Sequence, residues 1–200
     1  MLKTIHLAHM PPELALHVAL YREVKNAPFL KQRLLEGNTE YEYAFIDATT
    51  ILSTTHVLAA TFRAMNDFLH ERLKSRNVHS EIVFALSPNN NIGEAFRKFG
   101  INETTADLVI LRVATSPSIT AESVKVHLSD AVQGTSVDFS DDNLRDVSDW
   151  AKIRKVYKLP SSQSGDKYSK GLVNGDEEAD GNVEELQMAV LGVMALRGAT

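Results

Sequence analysis

The stretch Ser87 to Ile101, SPNNNIGEAFRKFGI, sets the tightest limit on how this chain folds, because it spells out both the start and the stop of one short helix. Ser87-Pro88 halts the apolar run before it, since proline has no N–H to give a sheet and turns its predecessor away from helical angles. Asn90 and Asn91 follow as caps whose side-chain oxygens accept from the first free backbone N–H groups. Ile92, Ala95, Phe96 and Phe99 recur at helical spacing and form one apolar face. Gly100 suits a left-handed position after the last turn, with Ile101 folded back onto it. Two nearly unbroken apolar runs flank this helix, Glu81 to Leu86 and Asp107 to Ala114. Runs with so little alternation read as strands covered on both faces, so the segment predicts a strand, helix, strand unit of crossover length.

The same reasoning extends along the chain. Weak alternation predicts an opening strand over Leu2 to Met10, and clearer alternation predicts another over Ala15 to Glu23. KNAPFLKQRLLEG predicts a helix capped by Asn26, with Phe29, Leu30, Leu34 and Leu35 as its stripe and Gly37 as its stop. Tyr43 to Asp47 reads as a strand and Ser53 to Lys74 as the longest amphipathic helix. Further helices are expected over Thr120 to Ala131 and Ser140 to Leu159, and the last opens on Asn182. The predicted fold is α/β: a single domain over residues 1–160, with a central mixed β-sheet flanked by helices. A flexible acidic linker over residues 161–182 and a C-terminal helix over residues 183–200 complete it. That helix is too apolar to stand free in water and must pack on the domain or on a partner.

Charge and composition narrow the function classes. Ser161 to Glu185 carries seven acids and two bases, which accounts for the whole formal net charge of −5 and leaves the body neutral. Strong autonomous nucleic-acid binding, which rests on phosphate neutralisation, is therefore not expected. No cysteine is present, so disulfides and thiolate chemistry are excluded. No membrane span or signal peptide is expected, which predicts a soluble intracellular protein. No Gly-rich phosphate loop, zinc-helix pair or GxSxG elbow occurs, and the seven histidines are scattered. His6 and His9, three apart in a strand, face opposite ways. No catalytic residue, cofactor or metal ligand is expected. Taken from pattern alone, the Ile92 stripe covers the protein's own sheet.

From SPNNNIGEAFRKFGI the chain resembles the TPRKB-like family of kinase-binding subunits of the KEOPS (EKC) complex, and a fungal member is expected. The resemblance also runs through REVKNAPFLKQRLLEG (Arg22 to Gly37), THVLAATFRAM (Thr55 to Met65), SEIVFALSPNNN (Ser80 to Asn91) and KIRKVYKLPSSQ (Lys152 to Gln163), in that order. It implies a noncatalytic subunit that binds and supports the complex's small atypical kinase/ATPase, and through it the threonylcarbamoyl-transferase subunit. It further implies a part in making threonylcarbamoyladenosine beside the tRNA anticodon, contact with the tRNA 3′ CCA end, a link to telomere maintenance, and a place in nucleus and cytoplasm. The kinase contact is assigned to Ile92, Ala95, Phe96 and Phe99. Lys25, His56 and Arg63, polar or basic residues inside the resembling blocks, are the tRNA candidates. An autonomous single-stranded RNA-binding module is the alternative. The acidic linker and tail helix lie beyond the strongest blocks.

Overall fold

The computed structural model describes residues 1–159 and 176–197. Its sheet is built from β1 (Lys3–Ile5), β2 (Leu16–Arg22), β3 (Ala44–Asp47), β4 (Leu108–Val113) and β5 (Thr135–Val137). The order is β1-β2-β4-β3, and β5 pairs with β2 beside β1. β1 takes the Leu16 to Val18 half of one β2 edge and β5 takes the Leu20 to Arg22 half. β4 fills the other edge in register from Leu16↔Val113 to Tyr21↔Leu108. Every one of these pairs is antiparallel. The expected central sheet with flanking helices is thus present, but among the described residues no parallel pair makes it mixed.

Helices cover both faces of this sheet, and strand parity decides which residue faces which layer. Leu16, Val18, Leu20, Ile46, Val109 and Leu111 share one core with α2 (Thr54–Leu69), α3 (Val78–Ala85), α7 (Trp150–Tyr157) and α8 (Asp176–Leu196). Ala19, Tyr21, Phe45, Leu108 and Ile110 share the other with α1 (Ala27–Leu35) and α5 (Ala121–Ala131). Burial on both faces is what makes Leu108 to Val113 read as a nearly unbroken apolar run, interrupted only by the half-buried Arg112.

The run Glu81 to Leu86, expected as a strand, is helical and belongs to α3. Nearly every residue of α3 is buried, so its apolar run has no polar face to reveal a period. Its start is nonetheless marked, since the Asn77 side chain accepts from Ser80 N at 2.8 Å. The helix expected over Ser140 to Leu159 is two, α6 (Asp141–Arg145) and α7. Ser148 Oγ donates to the Ile51 and Leu144 carbonyls, and Asp149 caps α7 by accepting from Lys152 N at 2.9 Å. α2 stops at Leu69, short of Lys74, with Glu71 in the left-handed region at φ 55°. β1 is shorter than expected, and β5 was not expected at all.

α8 begins at Asp176, ahead of the anticipated Asn182 start. It returns to the domain: Leu186, Val190 and Met194 are buried in the same core as α2 and α3. Residues 161–175 of the expected linker lie outside the described residues.

Candidate docking surfaces

α4 (Ile92–Phe99) forms where its caps require. The Asn91 side chain accepts from Glu94 N at 2.9 Å, while Asn89 accepts from Asn91 N at 3.0 Å and donates to Glu94 Oε2 at 3.0 Å. Glu94 pairs with Lys98 one turn on. The Lys98 and Asn89 hydrogen bonds hold its carboxyl below the usual carboxylate range. Capping is therefore Asn91's work, with Asn89 rather than Asn90 bracing it. Gly100 is not left-handed, with φ −72° and ψ 163°. Glycine is needed there because a Cβ would sit 2.7 Å from the Phe96 carbonyl oxygen. Ile101 crosses to the other core, its N–H donating to the Phe45 carbonyl at 3.0 Å.

Of the four residues assigned to the kinase, Ala95 and Phe99 are fully buried and hold α4 to the sheet layer. Phe96 is half-buried against that core, and Ile92 is 36% exposed. Only the Ile92 and Phe96 edge is open to a partner. α8 adds apolar surface that the sequence reading did not single out: Met188 is 72% exposed and Leu196 63%. Their signal in the sequence is an apolar helix with more large side chains than one buried stripe can take.

The three residues assigned to tRNA do not converge. Lys25 is exposed just before α1, with its N–H on the Gln133 carbonyl. His56 is fully buried at the start of α2. Its Nδ1 accepts from Leu52 N at 3.2 Å, which leaves Nε2 to carry the proton toward Tyr157 Oη at 2.7 Å. Tyr157 in turn donates to the Leu86 carbonyl at 2.6 Å. Burial drives the His56 pKa down to about 3. This neutral relay ties α2 and α7 to the residue that precedes Ser87-Pro88, and in this arrangement no atom of the His56 side chain reaches a surface.

Arg63 also has a structural occupation. Its guanidinium donates to the Met194 and Arg197 carbonyls at 2.7 and 3.2 Å, at the C-terminal end of α8. Arg197 reciprocates by donating to the Phe84 carbonyl at the end of α3, with its guanidinium carbon 4.0 Å from the Phe84 ring centre. Burial, and then the nearby Arg63 cation, bring the Arg197 pKa down to about 10. Arg63 of α2 thus caps the end of α8, while Arg197 at that end caps α3, so the two arginines tie α8 to both helices.

A different surface gathers aromatic rings and cations on the α1 and α5 side. Phe29 lies 5.9 Å from Tyr41, Tyr41 lies 4.9 Å from His127, and His127 stacks at 2° on Tyr43. Arg33 covers Phe29 and Arg112 covers Tyr43, both at 5.0 Å. Arg112 donates to the Glu42 carbonyl, and the Glu42 carboxylate accepts from Asn77, which ends the exposed basic loop of Arg72, Lys74 and Arg76. Arg76 in turn lies against Gly37 at the end of α1. A cleft of about 440 Å³ opens beside these rings, lined by Arg112, His127, Thr39, Ser116, Ser118 and Ser123 among others. Burial lowers the His127 pKa and raises that of Tyr43 to about 12, so both rings are neutral near pH 7. Tyr43 is buried, whereas Phe29, Tyr41 and His127 reach the surface. Such exposed rings suit stacking on flat neutral partners, with the arginines beside them suited to anions.

Comparison with known proteins places these surfaces in context. The family model described as Kinase binding protein CGI-121 matches residues 21–198. A protein named EKC/KEOPS complex subunit cgi121 from Aspergillus terreus is 51% identical over 199 residues, covering 100% of this chain and 98% of that protein. Its namesake from Aspergillus fumigatus is 50% identical with the same coverage. The one from Schizosaccharomyces pombe is 35% identical over 151 residues, 76% of this chain and 86% of its own length.

Proposed function

This chain belongs to the family of Kinase binding protein CGI-121, and we propose that it is a noncatalytic EKC/KEOPS subunit that binds and supports the complex's small atypical kinase/ATPase. The observation that carries the reading is the match over residues 21–198, made to relatives named as subunits of that complex. The apolar surface left open after folding supports a protein partner: Ile92 and Phe96 on α4, Met188 and Leu196 on α8. Exposed apolar groups outside the core are what an interface uses. Ala95 and Phe99 act indirectly by seating α4. The test is co-purification of the full chain with that kinase, for Ile92→Glu and Met188→Glu, alongside a circular dichroism melt. We expect weaker binding by about tenfold or more, a loss of about 1.4 kcal/mol or more, with an unchanged melt. Full binding by both folded variants removes this surface.

The second part of the reading is recruitment of tRNA through its single-stranded 3′ end for threonylcarbamoyladenosine synthesis. The aromatic and basic face around Phe29, Tyr41, His127 and Arg112 favours it, because unpaired bases stack on rings while cations meet phosphates. It replaces Arg63 and His56 as the residues to test and leaves Lys25 at its margin. A gel shift with tRNA carrying or lacking its CCA end, over a salt series, checks it. The Tyr41→Ala variant should lose about five-fold or more, and indifference to both changes removes RNA from this face. An autonomous RNA-binding module, the alternative, would bind without the kinase; the neutral body argues for weak binding alone. Roles in telomere maintenance and residence in nucleus and cytoplasm complete the proposal, and imaging of a tagged chain tests the latter.

A further inference from the structure

We propose that Ser75 is a phosphoacceptor whose modification opens the loop between α2 and α3. Three features of that loop point to it. Arg72, Lys74 and Arg76 stand at positions −3, −1 and +1 of Ser75, and all three are exposed. No other Ser or Thr of the chain has three Lys or Arg residues within three positions. This is the cation pattern that the acidic subsites of basophilic kinases read.

The second feature is what holds the loop. Ser75 Oγ donates to Glu81 Oε2 at 2.6 Å, and the same oxygen accepts from Lys74 N at 3.0 Å and Ser75 N at 2.8 Å. Glu81 is 1% exposed in the first turn of α3, where its charge suits the helix N-terminus. One buried carboxylate oxygen therefore fastens two consecutive residues of an otherwise exposed basic loop. The third feature is the loop's site in the molecule: Arg76 abuts Gly37, and Asn77 reaches Glu42 beside Arg112.

Phosphoryl transfer would form a bond from Ser75 Oγ to the γ-phosphorus of a magnesium-bound ATP. The bond from that phosphorus to the bridging oxygen breaks, ADP leaves, and the hydroxyl proton passes to the modifying kinase's base. The product has lost the Ser75 donor and carries a charge of about −1.5 to −2 against Glu81. Two anions cannot share that buried oxygen's place, so the loop leaves α3 and its three cations turn to the phosphate. Loss of cationic surface from the neighbouring aromatic face is a further consequence, which rests on the RNA reading of that face.

The test uses the full chain, Mg-ATP and a calmodulin-dependent kinase that reads arginine three residues before its serine. Mass spectrometry should find one phosphoryl group at Ser75, absent from Ser75→Ala and acquired more slowly by Arg72→Ala. The modified chain should melt at least about 2 °C lower than the unmodified one, with amides 72–77 exchanging faster. Ser75→Ala, which keeps both amide donors to Glu81, should stay folded and lose less. A chain left unmodified at Ser75 overturns the proposal, and so does a phosphorylated chain with unchanged melting and exchange. If the loop opens but single-stranded RNA binds as before, the RNA reading of the face fails and the Ser75 assignment stands.

Discussion

His56 and His79 are both buried and both neutral, each held by a single directed set of hydrogen bonds. His79 Nε2 accepts from Val113 N at 2.9 Å, which fixes α3 to the end of β4, while His56 links Leu52 to Tyr157. Burial lowers each pKa to about 3, whereas in the unfolded chain a histidine titrates near about 6.5. Between those values the unfolded state binds protons that the folded state does not. Stability is therefore whole above about pH 6.5 and falls on acidification by about 1.4 kcal/mol per pH unit for each histidine. Urea unfolding between about pH 7 and about pH 5 checks this, and His79→Gln should flatten the slope. The sequence offered His56 as a polar residue inside a resembling block. Nothing local distinguishes a surface histidine from one sealed by Tyr157, which arrives from 101 residues away.

At the scale of elements, the clearest contrast is between two glycines. Gly100 ends α4 where a Cβ would lie 2.7 Å from the Phe96 carbonyl oxygen, while Gly192 in α8 has nothing within 4 Å of that position. Gly100→Ala should cost about 1–3 kcal/mol because backbone, not a pliable side chain, must move. Gly192→Ala should gain about 0.5–1 kcal/mol from reduced unfolded-state freedom and better helix propensity. Denaturant titration of the two variants measures both, and equal effects would contradict the packing account. α4 and α5 were legible because their caps are local: Asn91 serves Glu94 N, and Thr120 and Ser123 complete a reciprocal box. α3 is not legible as a helix because burial all round erases its period, nor is the α6 to α7 break, because Ser148 and Asp149 bond to the distant Ile51 and Thr49 carbonyls.

The whole molecule is a sheet between two helical layers, and α8 belongs to the larger layer. The burial of Leu186, Val190 and Met194 and the hydrogen bonds of Arg63 to the end of α8 and of Arg197 to the end of α3 make α8 part of the domain's stability. A chain ending at residue 175 should melt lower, by roughly 5 °C or more, and bind a hydrophobic dye. Arg63→Met should instead speed amide exchange in the last turn of α8 and leave the sheet protected. A shortened chain as stable as the whole would refute the docking energetics. The sequence by itself determined the α/β class, the neutral body, the absence of thiol chemistry and the Asn91 cap of α4, since these depend on composition or on residues within a turn of each other. Only the tertiary structure decided that the sheet is antiparallel, that Glu81 to Leu86 is helical, and that Ala95, Phe99 and His56 face inward while Ile92, Met188 and Leu196 face out. Side-chain periods tell how many faces an element buries, but which face meets which neighbour depends on contacts between residues far apart in the chain.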